Sequence, residues 1–134
     1  MKYELFTDGG ARGNPGPAGI GGVIKKDNSS IFEFKKYIGE TTNNVAEYAA
    51  LLVGIKKAHE LKIKRLNCFS DSELIVKQLE GKYKVKNANL KKYYNEIKSL
   101  ETIFENITYT HIKREFNKEA DALVNSALDN HATI

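Results

Sequence analysis

The chain opens on alternation. Residues 2–8, KYELFTD, alternate polar and apolar side chains in a short, aromatic-rich run, which is the period of a strand. Residues 9–19, GGARGNPGPAG, carry no periodicity and are built of turn-forming residues, so a loop is expected. Residues 20–27, IGGVIKKD, resume a strand pattern, and Gly21 and Gly22 inside it imply the close approach of another backbone. DNSS at 27–30 reads as a hairpin turn, leading into a third strand at 31–38, IFEFKKYI, antiparallel to the second.

The period then changes. From about Asn44 to Leu61 the Ala- and Leu-rich run NVAEYAALLVGIKKAHEL has helical spacing. RLNCFS at 65–70 returns to strand, and SDSELIVKQLEG predicts a short helix stopped by Gly81. Leu90, Tyr93, Ile97, Leu100 and Phe104 share one face of a further helix, with Lys91, Lys92, Asn95, Lys98 and Ser99 toward the other side. ITYTHI at 107–112 is the last strand, and 117–130 the last helix, with Asn117 as its N-cap. The order β-β-β-α-β-α-α-β-α predicts an α/β chain: a mixed sheet with helices on its faces. No repeat or linker interrupts it, so residues 1–134 are expected to form one domain.

Composition changes this picture little. A chain of 134 residues buries roughly two thirds of its unfolded surface and needs no covalent staple. The single cysteine, Cys68, excludes an internal disulfide and sits in a strand pattern that reads as core. No apolar run approaches the roughly 18 residues that span a bilayer, and the N-terminus lacks a signal-peptide layout, so a cytoplasmic location without membrane attachment is expected. The net charge of +4 mildly favours a polyanionic partner.

Four acids stand out against the pattern. Asp8 and Asp71 end the first and fourth strands, so both carboxylates emerge at one sheet edge if those strands are parallel neighbours. Asp71 also reads as a helix N-cap, a task that Ser70 could perform with Glu73 in a capping box. Glu47 reads as a capping-box partner of Asn44, yet it leads the stripe 47, 50, 51, 54, 55, 58, which is otherwise apolar or small. Asp121 heads a second apolar row with Val124 and Leu128. Buried carboxylates need a cation or hydrogen bonds. No set of basic residues is placed to neutralise all four, whereas a hard divalent ion such as Mg²⁺ takes oxygen ligands. The glycine loop lacks GK[ST] and does not run into a helix, so neither a P-loop nor a dinucleotide fingerprint is present. It reads either as a flexible connection or as exposed backbone for a sugar–phosphate chain, with Asn14, Thr42, Asn43 and Asn44 adding short polar groups.

TDGGARGNPGPAGIGGVI, TTNNVAEYAALLVGI, FSDSELIVKQLEG and REFNKEADALVNSAL, in that order, resemble the signature segments of the type 1 ribonuclease H family. The resemblance implies the ribonuclease H-like fold, a five-stranded mixed sheet of order 3-2-1-4-5. It implies an endonuclease that cuts the RNA strand of RNA–DNA hybrids by two-metal-ion catalysis, leaving 5′-phosphate and 3′-hydroxyl ends with little sequence preference. Two Mg²⁺ ions, or Mn²⁺ in their place, would be held by Asp8, Glu47, Asp71 and Asp121 as the catalytic set. Asn14 and Thr42 match positions that hold a DNA phosphate. Gly9, Gly10, Asn43 and Asn44 match positions near RNA 2′-hydroxyls or the base pairs beside the cut, and Arg12 lies in the same loop. A monomer needing no protein partner is the family expectation. A non-catalytic module binding hybrid or double-stranded RNA is the alternative.

The chain departs from many bacterial members in two places. The stretch before the last acid is the short HIKREFNKEAD, with no His at the mobile-loop position, and His111 reads as a structural residue of the last strand. The basic protrusion is reduced to GKYKVKNANLKK without tryptophan, where Lys82, Lys84 and Lys86 are either a small handle for DNA or a solvated connection.

Overall fold

The computed structural model describes residues 1–132. Strands β1 (Tyr3–Ala11), β2 (Gly16–Lys26), β3 (Ser29–Thr41), β4 (Arg65–Ser70) and β5 (Asn106–His111) form one sheet in the order β3-β2-β1-β4-β5. The β1–β2 and β2–β3 pairs are antiparallel, while β1–β4 and β4–β5 are parallel. Helices α1 (Asn43–Glu60), α2 (Glu73–Leu79), α3 (Ala88–Glu101) and α4 (Lys118–Ala132) complete the α/β architecture with the sheet order that the family resemblance implies. Among the described residues no helix is long and apolar enough to cross a membrane.

The two faces of the sheet follow from strand alternation. Leu5 packs on Gly54 of α1, and with Ile24, Ile55, Leu66, Cys68, Ile75 and Ile97 it forms the main core beneath α1, α2 and α3. Cys68 is buried there, as its pattern predicts. Asp8 lies three residues along β1 from Leu5 and therefore faces the other way, the side that α4 covers. Gly21, paired with Asp8, faces α4 so closely that a Cβ would lie 2.8 Å from the Ala120 carbonyl oxygen. This is the backbone approach expected there. Gly22 differs: its open side holds the Phe34 ring, a side chain rather than a backbone.

The region predicted as an eleven-residue loop is mostly strand. β1 continues to Ala11 and β2 begins at Gly16, leaving 12–15 as the connection. Propensity argues against glycine in strands, but packing overrides it here: a Cβ on Gly9 would lie 2.2 Å from the Ala46 carbonyl oxygen of α1. The hairpin turn contracts to Asp27 and Asn28, both at positive φ (49° and 71°), which is the two-residue turn that matches strand twist. Ser29 and Ser30 consequently belong to β3. A short 3₁₀ turn over Arg114–Phe116, not foreseen from the sequence, joins β5 to α4.

Candidate metal centre and substrate cleft

Three helix starts decide which polar side chains remain for chemistry. The cap of α1 is Thr42, whose hydroxyl accepts from the Val45 N–H at 3.2 Å. Glu47 therefore lies beyond the capping-box position, and the Asn44–Glu47 box does not form. The cap of α2 is Ser72, accepting from the Ile75 N–H at 3.4 Å, while Ser70 accepts from the Ser72 N–H. Asp71 is thus released from capping. Before α4, the Asn117 backbone carbonyl accepts from the Asp121 N–H at 3.1 Å, but the side chain points inward and donates from Nδ2 to the Thr7 carbonyl at 2.8 Å. The N-cap reading of that side chain is corrected.

With capping excluded, the acids converge. β1 and β4 are parallel neighbours whose ladder ends with Thr7 beside Ser70, so Asp8 and Asp71 both follow its last pair, although Asp8 lies within β1 and not at the strand end expected for it. Glu47 reaches across from α1, its Oε1 accepting the Gly9 N–H at 2.9 Å. One carboxylate oxygen from each of Asp8, Glu47 and Asp71 lies within 4.8 Å of the others. Asp121, in the first turn of α4, lies outside that trio but lines the same cleft and brings its negative charge to bear on Asp8.

The electrostatics follow from crowding. Burial, then the charges of Asp71 and Asp121, raises the pKa of Asp8 from the ordinary 3.8 to about 7, against the lowering effect of the Gly9 N–H. Burial and the charges of Asp8 and Asp71 likewise push Glu47 up. Among the described residues, the ion pair that touches this group is Arg114 to Asp121 at 3.5 Å, with Arg114 largely in solvent. An all-oxygen donor set carrying several negative charges suits a hard divalent cation. Such an ion would relieve the repulsion that now favours protonation.

The acids line the wall of a cleft of about 450 Å³ together with Gly9, Gly10, Arg12, Asn43 and Arg114. Asn43 Oδ1 accepts from the Ala11 N–H at 2.7 Å, and Asn14 Oδ1 accepts from the Asn43 N–H at 3.1 Å, so the end of β1, the turn after it and the start of α1 are laced together. Asn14 and Thr42 are outside the cleft lining, and Asn44 is exposed on the first turn of α1. Arg12 forms an ion pair with Asp129 of α4 at 2.6 Å. His111 ends β5 near Glu73, at 3.9 Å, and is absent from the cleft lining. Lys82 pairs with Glu80 at 3.3 Å, and Lys84 and Lys86 are exposed. Sequence reasoning missed Arg114, Asn117 and Asn125 around the site. The first two lie in the short stretch before the last acid, whose path across the cleft no local pattern encodes.

Comparison with known proteins places these features in context. The family described as "Reverse transcriptase-like" matches residues 6–127. A bifunctional protein of Mycobacterium tuberculosis is 43% identical over 131 residues, covering 96% of this chain and 36% of its own length. The chain thus spans about a third of the mycobacterial relative. The ribonuclease HI of Halobacterium salinarum is 37% identical over 129 residues, covering 96% of this chain and 65% of the relative. The crystal structure of LC11-RNase H1 with an RNA/DNA hybrid superposes with a TM-score of 0.94 at 44% identity, over 98% of this chain and 99% of that one.

Proposed function

This chain belongs to the ribonuclease H family, and from that premise we propose that it hydrolyses the RNA strand of RNA–DNA hybrids with divalent metal ions. The observation that carries the reading is the meeting of Asp8, Glu47 and Asp71 oxygens within 4.8 Å, next to a polar, glycine-lined cleft. The family is divalent-metal dependent, and Mg²⁺ is the ion proposed, with Mn²⁺ able to replace it. Two bound ions would lower the pKa of water and neutralise charge on the attacked phosphate and departing 3′-oxygen.

The chain's own residues do the rest. Asp8, Glu47, Asp71 and Asp121 hold the ions, with Asp8 central among them. The Gly9 N–H orients Glu47. Gly10 and Asn43 line the cleft and, with Gly9 and Asn44, face the RNA strand, where backbone groups and short amides read 2′-hydroxyls. Thr42 accepts from Val45 through its oxygen and keeps its O–H to donate; Asn14 uses Oδ1 toward Asn43 and keeps its N–H groups. Both therefore present donors to a DNA phosphate. Arg12 adds positive charge at the mouth. In this reading a monomer works in the cytoplasm without a protein partner.

The test is cleavage of labelled RNA–DNA, RNA–RNA and DNA–DNA duplexes with and without Mg²⁺. Cutting of the hybrid's RNA strand, lost with chelator and lost in a folded Asp71→Asn variant, is the expected outcome. Unchanged cutting by Asp71→Asn refutes the assignment of the acids. Chelator-resistant hybrid binding without cleavage would instead support a non-catalytic binding module.

A further inference from the structure

Asn117 is 2% exposed and occupies the point where three acid-bearing elements meet. Nδ2 donates to the carbonyl of Thr7, the residue before Asp8, at 2.8 Å, and to Asp71 Oδ2 at 3.4 Å. The backbone carbonyl receives the Asp121 N–H at 3.1 Å. One residue thus ties the middle of β1, the carboxylate after β4 and the first turn of α4.

The arrangement is costly in two ways. An Asn in this position ordinarily caps the helix with its side-chain oxygen, which stabilises it. Here that oxygen caps nothing: Oδ1 is buried with no hydrogen-bond partner, so its lost hydration goes uncompensated. A side chain selected only for stability would turn outward and cap. Buried unpaired groups that persist in a fold call for an explanation, and the acceptors of Nδ2 supply one. Its two hydrogens are both used, one on backbone and one on the carboxylate of Asp71.

We propose that Asn117 is a positioning residue that holds the Asp71 carboxylate in its metal-ready orientation relative to Asp8 and Asp121. The inference rests on the metal reading of the site given above. Groups that hydrogen-bond a metal ligand without touching the ion set the ligand's direction before the ion arrives, and their loss commonly weakens metal affinity by about 10–100-fold. Without the amide, Asp71 must be ordered by the ion itself, and affinity falls. The RNA-facing residues Gly9, Gly10 and Asn43 are untouched, so hybrid recognition at saturating metal is preserved.

The experiment compares the full chain with Asn117→Ala and Asn117→Ser. Mn²⁺ binding is titrated calorimetrically, thermal unfolding is followed in chelator, and hybrid cleavage is measured across Mg²⁺ concentrations. All are read well below each variant's melting midpoint. Positioning predicts that the Mn²⁺ Kd and the half-saturating Mg²⁺ concentration both rise about tenfold or more, while KM for hybrid stays within about twofold. A residue that merely stitches α4 to β1 would lower the melting midpoint and leave both metal values alone. That result, in the folded variants, overturns the proposal. Serine's hydroxyl lies one bond nearer the backbone than Nδ2, too short to replace both bonds, yet it can cap α4, and so it carries the comparison if the alanine variant does not fold. Failure of the unaltered chain to bind Mn²⁺ would overturn the metal reading itself, which separates the two failures.

Discussion

Helix α1 borders two regions built on opposite terms. Toward the sheet it packs into an apolar layer in which Leu5, Ile24, Ile55, Leu66, Ile75 and Ile97 are almost wholly buried. The buried polar side chains in that layer answer each other: the Tyr48 hydroxyl donates to Gln78 Oε1 at 2.7 Å. At its N-terminal end the same helix sends Glu47 into a cleft where carboxylates crowd and burial pushes Asp8 up to about 7, while behind the cleft Asn117 Oδ1 goes unpaired. The contrast teaches where stability is generated and where it is given up. Apolar burial in the first region supports charge repulsion in the second, at the place a cation would make that repulsion useful.

The strongest way to break this comparison is a pair of substitutions with opposite signatures. Asp8→Asn should lower hybrid cleavage by about three orders of magnitude, the scale set by losing electrostatic stabilisation of the transition state. It should raise the melting midpoint of the metal-free protein at pH 8, because one crowded charge is gone. Leu66→Ala should do the reverse, losing about 2–5 kcal/mol of stability while kcat is retained below its midpoint. Calorimetry with parallel cleavage assays reads both. A fall in midpoint for Asp8→Asn would show that the cleft is not a repulsive site.

The second test sharpens the electrostatic half. Asp8 holds its proton to about pH 7 when folded and releases it near the ordinary 3.8 when unfolded. The folded state therefore binds more protons between these values, and stability falls as pH rises through that window. The Asp8 contribution is fully present below 3.8 and gone above about 7, a change on the order of 4 kcal/mol. Denaturant unfolding in chelator at pH 5 and pH 8 measures it. Divalent ions should raise stability more at pH 8 than at pH 5, since protons no longer compete for the carboxylates. Equal metal stabilisation at both values would contradict the assignment.

The smallest expected effect lies where the two regions touch. In Gly9→Ala the new methyl would meet the Ala46 carbonyl, forcing α1 away from β1 at a cost of about 1–3 kcal/mol. Glu47 moves with the helix and its bond from the Gly9 N–H lengthens, so cleavage should fall further than stability alone explains. Activity lost only in proportion to unfolded protein would show that the glycine serves packing and nothing more.

Much of this was legible in the chain. Periodicity marked each of the five strands and four helices, because alternation and helical spacing are local consequences of one buried face. Acids at expected strand ends and at the head of apolar stripes marked Asp8, Glu47, Asp71 and Asp121, since a charge in such a row demands a reason, although β1 runs three residues past Asp8. Boundaries were legible only where local chemistry set them. The glycine-rich stretch read as loop because strand propensity disfavours glycine, and no local rule reveals that α1 and α4 lie close enough to require it.

The sequence by itself determined the element order, the apolar faces and the identity of the four acids, all of which depend on neighbours within a few positions. The structure decided which of the local candidates cap, Thr42 and Ser72, leaving Glu47 and Asp71 free, and tertiary contacts alone turned Asn117 from its helix toward β1 and Asp71. The two caps bond only three residues along the chain, but the reach of Glu47 to Gly9 and of Asn117 to Thr7 hangs on contacts between residues 38 and 110 positions apart. A hydrogen bond across such a separation has no periodicity to announce it; it exists once the sheet has brought its two ends together.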